Sequence, residues 1–121
     1  MEVITVLCAV IALVAADEKY SATNDHFDVE ALVASKAELE TFTSCFISNV
    51  NCNDISNDFK KDIPEAVKEA CGKCTNEQKH IFKRYLEGLQ EQLPQRYEDF
   101  KKKYDPEGKL LEPLRVAISN S

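Results

Sequence analysis

From residue 28 onward the apolar positions recur three and four residues apart, and no stretch alternates in the manner of a half-buried strand. Asp28 caps a short helix carrying Val29, Leu32 and Val33. Ser35 and Glu38 form a capping box for a second helix, on which Leu39, Phe42 and Phe46 share one face. Residues 49–54, rich in Asn and Asp, read as a loop. A third helix from Ser56 aligns Phe59, Ile63, Val67 and Ala70. Pro64 interrupts it, removing one backbone donor and crowding the carbonyl of Lys60, which predicts a bend. Thr75 and Gln78 make a second capping box before the most amphipathic segment, with Ile81, Phe82, Tyr85, Leu86, Leu89 and Leu93. Pro94 suits the first position of a further helix bearing Tyr97, Phe100 and Tyr104. Asp105-Pro106-Glu107-Gly108 has the residue order of a type I turn, and residues 110–118 can form a last short helix, starting near Pro113. The pattern predicts an all-α domain of five or six short helices.

The first 27 residues do not share this period. Residues 3–16 are apolar apart from Thr5, Val14-Ala15-Ala16 offers small residues to a signal peptidase, and Asp17-Glu18-Lys19 opens a polar chain. The run is too short to span a bilayer, so residues 1–16 read as a cleaved signal peptide and residues 17–121 as a single secreted, extracellular domain with no stable membrane insertion. Residues 17–27 are polar and expected to be loosely ordered. Of the 121 residues, cleavage leaves 105 and, since only Glu2 is lost among the charged residues, a net charge of −5 from 15 basic and 20 acidic side chains. That sign disfavours nucleic acid and anionic membrane surfaces as partners. Lys101-Lys102-Lys103 alternates with Phe100 and Tyr104 as a solvated helix face does.

The leader changes the cysteine chemistry. Cys8 departs with it, and Cys45, Cys52, Cys71 and Cys74 remain at spacings of six, eighteen and two intervening residues. In an oxidising compartment four cysteines allow three pairings; Cys45–Cys52 with Cys71–Cys74 needs only local turns and is preferred. Rings so small restrain the unfolded chain by about 2 kcal/mol each and pin loops without stapling distant helices. A thioredoxin-like centre at Cys71-Gly72-Lys73-Cys74 would want a preceding strand, and a zinc site would want all four thiolates or histidines at ligand spacing, which His26 and His80 do not supply. Glu65/Glu69 and Glu87/Glu91 read as solvated helix edges, and Gly72, Gly88 and Gly108 stand too far apart for a phosphate loop. Nothing here points to an enzyme, a metal or a cofactor.

The cysteine spacing, with Asp28-Val29-Glu30, Ile63-Pro64-Glu65-Ala66-Val67, the run from Cys71 through Lys79, Leu93-Pro94 and Lys103-Tyr104-Asp105-Pro106-Glu107-Gly108-Lys109, resembles the insect chemosensory proteins, the OS-D-like family, from Tyr20 to about Lys109. The resemblance implies six helices around an apolar channel, neighbour-paired disulfides, and a monomeric carrier of small hydrophobic ligands such as long-chain acyl compounds and semiochemicals. The chain departs from the family at Phe42, where a Tyr is common, at Tyr97, near a common Trp, and at Asn24, where a second Tyr is common. Beyond Lys109 the usual basic tail gives way to Leu110, Leu111, Leu114, Val116 and Ile118.

Helical apolar stripes more often fill a core than line a pocket. The resemblance tips the reading toward a pocket walled by Phe42, Phe46, Phe59, Ile63, Val67, Ile81, Phe82, Tyr85, Leu89, Tyr97 and Phe100. Each buried methylene contributes about 0.8 kcal/mol, so a chain of about a dozen carbons gains about 10 kcal/mol before ordering losses bring affinity toward the micromolar range. Without a hydroxyl at Phe42 the neighbouring wall should select hydrocarbon, with Tyr97 or Tyr85 supplying the nearest hydroxyl. Residues 110–118 are read either as a cover over the cavity or as an ordinary packed helix. A secreted interaction or developmental factor, and a CxxC thiol oxidoreductase, are the alternative readings; a partner pull-down and an insulin-reduction assay would separate them.

Overall fold

The computed structural model describes residues 18–121, so the expected leader, residues 1–16, lies outside the described residues. Among the described residues six helices follow one another: α1 (Val29–Val33), α2 (Lys36–Ser48), α3 (Asp54–Lys68), α4 (Asn76–Gln92), α5 (Pro94–Tyr104) and α6 (Leu111–Ala117). No strand occurs among the described residues, as the apolar period predicts. The long α4 is the spine, packed on α1 on one side and α5 on another. The second helix meets α1, α3 and α5, and α6 lies against α3. The apolar stripes meet in one core, in which Leu39, Leu86, Leu89, Phe100 and Leu114 are completely buried.

Local chemistry fixes the helix ends. Asp28 accepts from the Ala31 amide and Ser35 from the Glu38 amide. At α4 both halves of the box form, Thr75 Oγ1 accepting from the Gln78 amide at 3.1 Å and Gln78 Oε1 from the Thr75 amide at 3.0 Å. The third helix begins two residues before the expected Ser56. Asn53 and Ser56 make a reciprocal box of their own, at 2.8 and 2.9 Å, so Ser56 is a buried position in the first turn and not the cap. That helix continues through Pro64, whose ring faces solvent, and ends at Lys68. Ala70, expected on its stripe, lies past the end in the left-handed region at φ 53°, and Ala66 takes the buried position instead. The turn at Asp105 closes through a Gly108 N–H···O bond of 3.0 Å to the Asp105 carbonyl, with Gly108 at φ 72°. The buried Asp105 carboxylate accepts from the amides of Lys109 at 2.8 Å and Leu111 at 3.0 Å, which starts α6 at Leu111, before Pro113.

The amino-terminal arm, residues 18–27, corrects the expectation of loose order. Its polar groups are bonded to α3, α4 and the loop between them. The Tyr20 amide donates to the Lys73 carbonyl at 2.9 Å, Asn24 Nδ2 to Asp58 at 2.7 Å, Thr75 Oγ1 to Asp25 at 2.9 Å, and Gln78 Nε2 to the Ser21 carbonyl at 2.8 Å. Tyr20 and Phe27 add half-buried aromatic surface against the core. A polar composition here signals hydrogen bonding to the fold.

Candidate functional site

Between the arm, α1, α2, α3 and α4 lies an apolar cavity of about 70 Å³, room for roughly five water-sized groups. The helical register explains its wall. On α3, Phe59, Ile63 and Ala66 stand three and four residues apart and turn one stripe inward. On α2, Phe42 and Phe46 do the same, and on α4 Gln78, Ile81, Phe82 and Tyr85 follow the same spacing. The short α1 adds Leu32, the arm adds Tyr20 and Phe27, and Cys74 of the loop before α4 completes the lining with Asp58 and Asp62. Aromatic edges hold this wall together: Phe27 lies 5.4 Å from Phe42 and 5.5 Å from Phe59, and Phe46 lies 5.4 Å from Tyr85, the last two pairs edge-on.

Seven of the eleven residues expected on a pocket wall are brought to this cavity: Phe42, Phe46, Phe59, Ile63, Ile81, Phe82 and Tyr85. Val67, Leu89, Tyr97 and Phe100 are not. Val67 and Leu89 point into the closed core between helices, and Phe100 is packed on the outer side of Phe82 and Tyr85, at 6.4 and 6.0 Å. Tyr97 turns toward α6, where its hydroxyl accepts from Arg115 at 2.8 Å. Of the two tyrosines expected to offer a hydroxyl, Tyr85 alone lies on the wall, and its oxygen shares a 2.7 Å hydrogen bond with the buried Thr43. Burial raises the Tyr85 phenol above its ordinary pKa, with the Thr43 bond acting in the opposite direction.

Eight wall residues were not expected: Tyr20, Phe27, Leu32, Asp58, Asp62, Ala66, Cys74 and Gln78. Walking the register outward from Phe59, Ile63 and Ile81 would find Asp62, Ala66 and Gln78. The arm residues and Cys74 carry no such periodic signal.

The cavity is apolar within and charged at one edge. Leu32, Phe42, Phe46, Ala66, Ile81 and Tyr85 are buried, whereas the side chains of Asp58 and Asp62 are 24% and 27% exposed. Lys61 Nζ reaches Asp58 Oδ1 at 2.9 Å and Asp62 Oδ2 at 3.4 Å. The Lys61 bond, helped by Asn24 and opposed by burial, holds the Asp58 carboxyl below its ordinary pKa. Nearby, the Tyr20 hydroxyl donates to Glu65 Oε1 at 2.8 Å. Burial and that bond raise the phenol, and the same bond lowers the Glu65 carboxyl.

The cysteines pair locally, Cys45 with Cys52 and Cys71 with Cys74, at Cα separations of 4.9 and 5.0 Å. The first ties the end of α2 to the loop before α3. The second closes a loop that passes the cavity at Cys74. Among the described residues no group of three or more His, Cys, Asp or Glu side chains is arranged to hold a metal, and no helix is long and apolar enough to cross a membrane. Leu110, Leu111, Leu114 and Ile118 do not reach the cavity. Leu111, Leu114 and Ile118 are buried in the core, as in an ordinary packed helix.

Comparison with known proteins places these features in context. The profile of the insect pheromone-binding family, A10/OS-D, matches residues 20–112. Ejaculatory bulb-specific protein 3 of Drosophila melanogaster is 29% identical over 111 residues, covering 92% of this chain and 88% of that protein. Allergen Tha p 1 of Thaumetopoea pityocampa is 27% identical over 105 residues, covering 87% and 83%. A solved chemosensory protein in complex with bromo-dodecanol superposes with a TM-score of 0.74 at 23% identity, covering 81% of this chain and 98% of that one.

Proposed function

The chain belongs to the insect pheromone-binding family A10/OS-D, and from that premise we propose that it is a secreted carrier, which encloses small hydrophobic ligands in the cavity between the arm and α1–α4 and releases them unchanged. The observation that carries this reading is the wall itself: an apolar space bounded by six aromatic side chains, Tyr20, Phe27, Phe42, Phe46, Phe59, Phe82, together with Tyr85, all within the residues the family profile matches. The solved relative holds a brominated twelve-carbon alcohol, and a linear hydrocarbon of that class suits this lining. A long chain needs more space than the cavity offers at rest. Phe27, Phe59 and Phe82 are only half-buried, so they can swing outward at lower cost than the closed core beneath them.

Residues 1–16 act in this reading as a cleaved leader, and the two disulfides suit the oxidising route it opens. The Cys71–Cys74 disulfide closes a loop that serves in this reading as part of the cavity wall, through Cys74. Native mass spectrometry of the protein purified from its source tests the proposal. The expected result is a chain that begins after Ala16, contains no free thiol, and carries a bound apolar molecule lost on mild activation. A population that is ligand-free both as isolated and after incubation with long-chain alcohols would overturn the carrier reading.

A further inference from the structure

The two charged side chains on the cavity wall, Asp58 and Asp62, are both acidic. They stand four residues apart on α3, on the same face as Phe59 and Ile63, a placement of like charges that works against helix stability. The hydrogen-bonding groups around them have a one-sided balance. Asn24 and Gln78 each donate one N–H, to Asp58 and the Ser21 carbonyl, and keep a second, neutral one; the Tyr20 hydroxyl is committed to Glu65 and the charged donor, Lys61 Nζ, to Asp58 and Asp62. One acceptor is not. Asp58 uses both oxygens and Asp62 uses Oδ2, while Asp62 Oδ1 has no hydrogen bond among the described residues. Among the described residues, the edge of the cavity therefore offers one open charged group, the acceptor Asp62 Oδ1, and no open cationic donor.

Resting on the carrier reading, we propose that Asp62, with Asp58 beside it, selects cargo by head group: long-chain alcohols, whose hydroxyl donates to Asp62 Oδ1, over fatty carboxylates of equal length. The hydrocarbon tail lies on Phe42, Phe46 and Ile63, and the polar end stays at the partly exposed rim. It has little to gain deeper in, because the buried Tyr85 hydroxyl is engaged with Thr43. A carboxylate placed at the rim meets two like charges that Lys61 only partly offsets, and it can donate nothing. A neutral ester escapes the repulsion but still lacks the donor, so it ranks between the two.

The test is displacement of N-phenyl-1-naphthylamine from the protein at neutral pH by 1-dodecanol, methyl dodecanoate and dodecanoate, all kept below their aggregation limits. The expected result is half-displacement by dodecanol at about tenfold lower concentration than by dodecanoate, the scale of one charge-assisted hydrogen bond plus partly screened repulsion. Asp62→Asn removes a charge and adds an amide donor, and should bring the two within about threefold while dodecanol still binds. High salt should narrow the gap in the unaltered protein, because rim charges are screened, which gives a reading independent of any variant. Dodecanoate equal to or better than dodecanol, or a gap unmoved by both Asp62→Asn and salt, would overturn head-group selection and leave the carrier reading standing. A protein that takes up neither the dye nor any of the three ligands would overturn both.

Discussion

Gly88 sits so close to Val33 that a methyl group in its place would stand 2.5 Å from Val33 Cγ1 and 2.7 Å from Val33 Cβ. Both residues are buried, and this close approach is how α1 docks on α4. Gly88→Ala gains about 1 kcal/mol in helix propensity but forces apart two backbone-anchored elements, at about 1–3 kcal/mol for overpacking. The net effect expected is destabilisation, seen as a thermal midpoint lowered by several degrees, with Gly88→Ala/Val33→Ala recovering most of the loss. A single variant as stable as the parent would show that α1 is free to move. Asp105 gives a residue-scale prediction in pH. Burial raises its carboxyl, but the amides of Leu111, Leu110, Lys109 and Gly108 outweigh that and hold it below the ordinary value. A carboxyl with a depressed folded-state pKa contributes stability above its unfolded value, near pH 4, and loses it as pH falls through the folded one. Asp105→Asn should therefore lower the thermal midpoint at neutral pH, and its deficit relative to the parent should shrink toward pH 2–3. A deficit constant across that range would mean the carboxylate charge is not what holds the turn.

At the scale of the element, the first four helices are legible in the sequence because each has a side-chain cap and an apolar stripe that agree, whereas α5 starts on Pro94 and α6 has no side-chain cap of its own. Thr75 with Gln78 and Asp28 are read correctly for that reason. Where two signals compete, the reading slips. Ser56 has the residue type of a cap, but Asn53 captures its amide and shifts the start of α3. Pro113 resembles a first helical position, yet the Asp105 carboxylate starts α6 earlier by accepting from the Leu111 amide. The wall of the cavity is half legible. A stripe tells which face turns inward, but Val67, Leu89 and Phe100 show that inward can mean closed core as readily as cavity. Tyr20 and Phe27 reach the wall only through long-range hydrogen bonds of the arm, which no periodicity encodes. The carboxy-terminal helix belongs to the core: Leu114 and Ile118 are fully buried, and Arg115 bridges Gln90 and Tyr97 at 2.8 Å each. Truncation after Lys109 should lower stability markedly, by about 2–5 kcal/mol for each large buried side chain lost. It should leave the ligand exchange rate little changed in molecules that remain folded, as stopped-flow release of a bound dye can show. Faster exchange at unchanged stability would instead make α6 a cover.

For the whole molecule, the two small disulfide rings and the one-sided placement of the cavity divide the structure into parts of different stiffness. The interface of α4 with α5 is closed, around the fully buried Leu86, Leu89 and Phe100, and α6 closes the core against the far side of α3 through Leu114. Opposite it, the arm and the half-buried Phe27, Phe59 and Phe82 bound the cavity with fewer interior contacts. Neither ring, Cys45–Cys52 or Cys71–Cys74, bridges distant helices. The cavity side can therefore widen around a chain-like ligand while the α4–α5 interface keeps its packing. The most direct test of that account is a set of isotope-filtered NOEs between ¹³C-labelled protein and unlabelled 1-dodecanol. The predicted result is ligand contacts from Phe42, Phe46, Ile63 and Ile81, with none from Leu89, Leu111 or Leu114. Contacts clustered on the α6 side, or none with the α2–α3–α4 wall at saturating ligand, would contradict it.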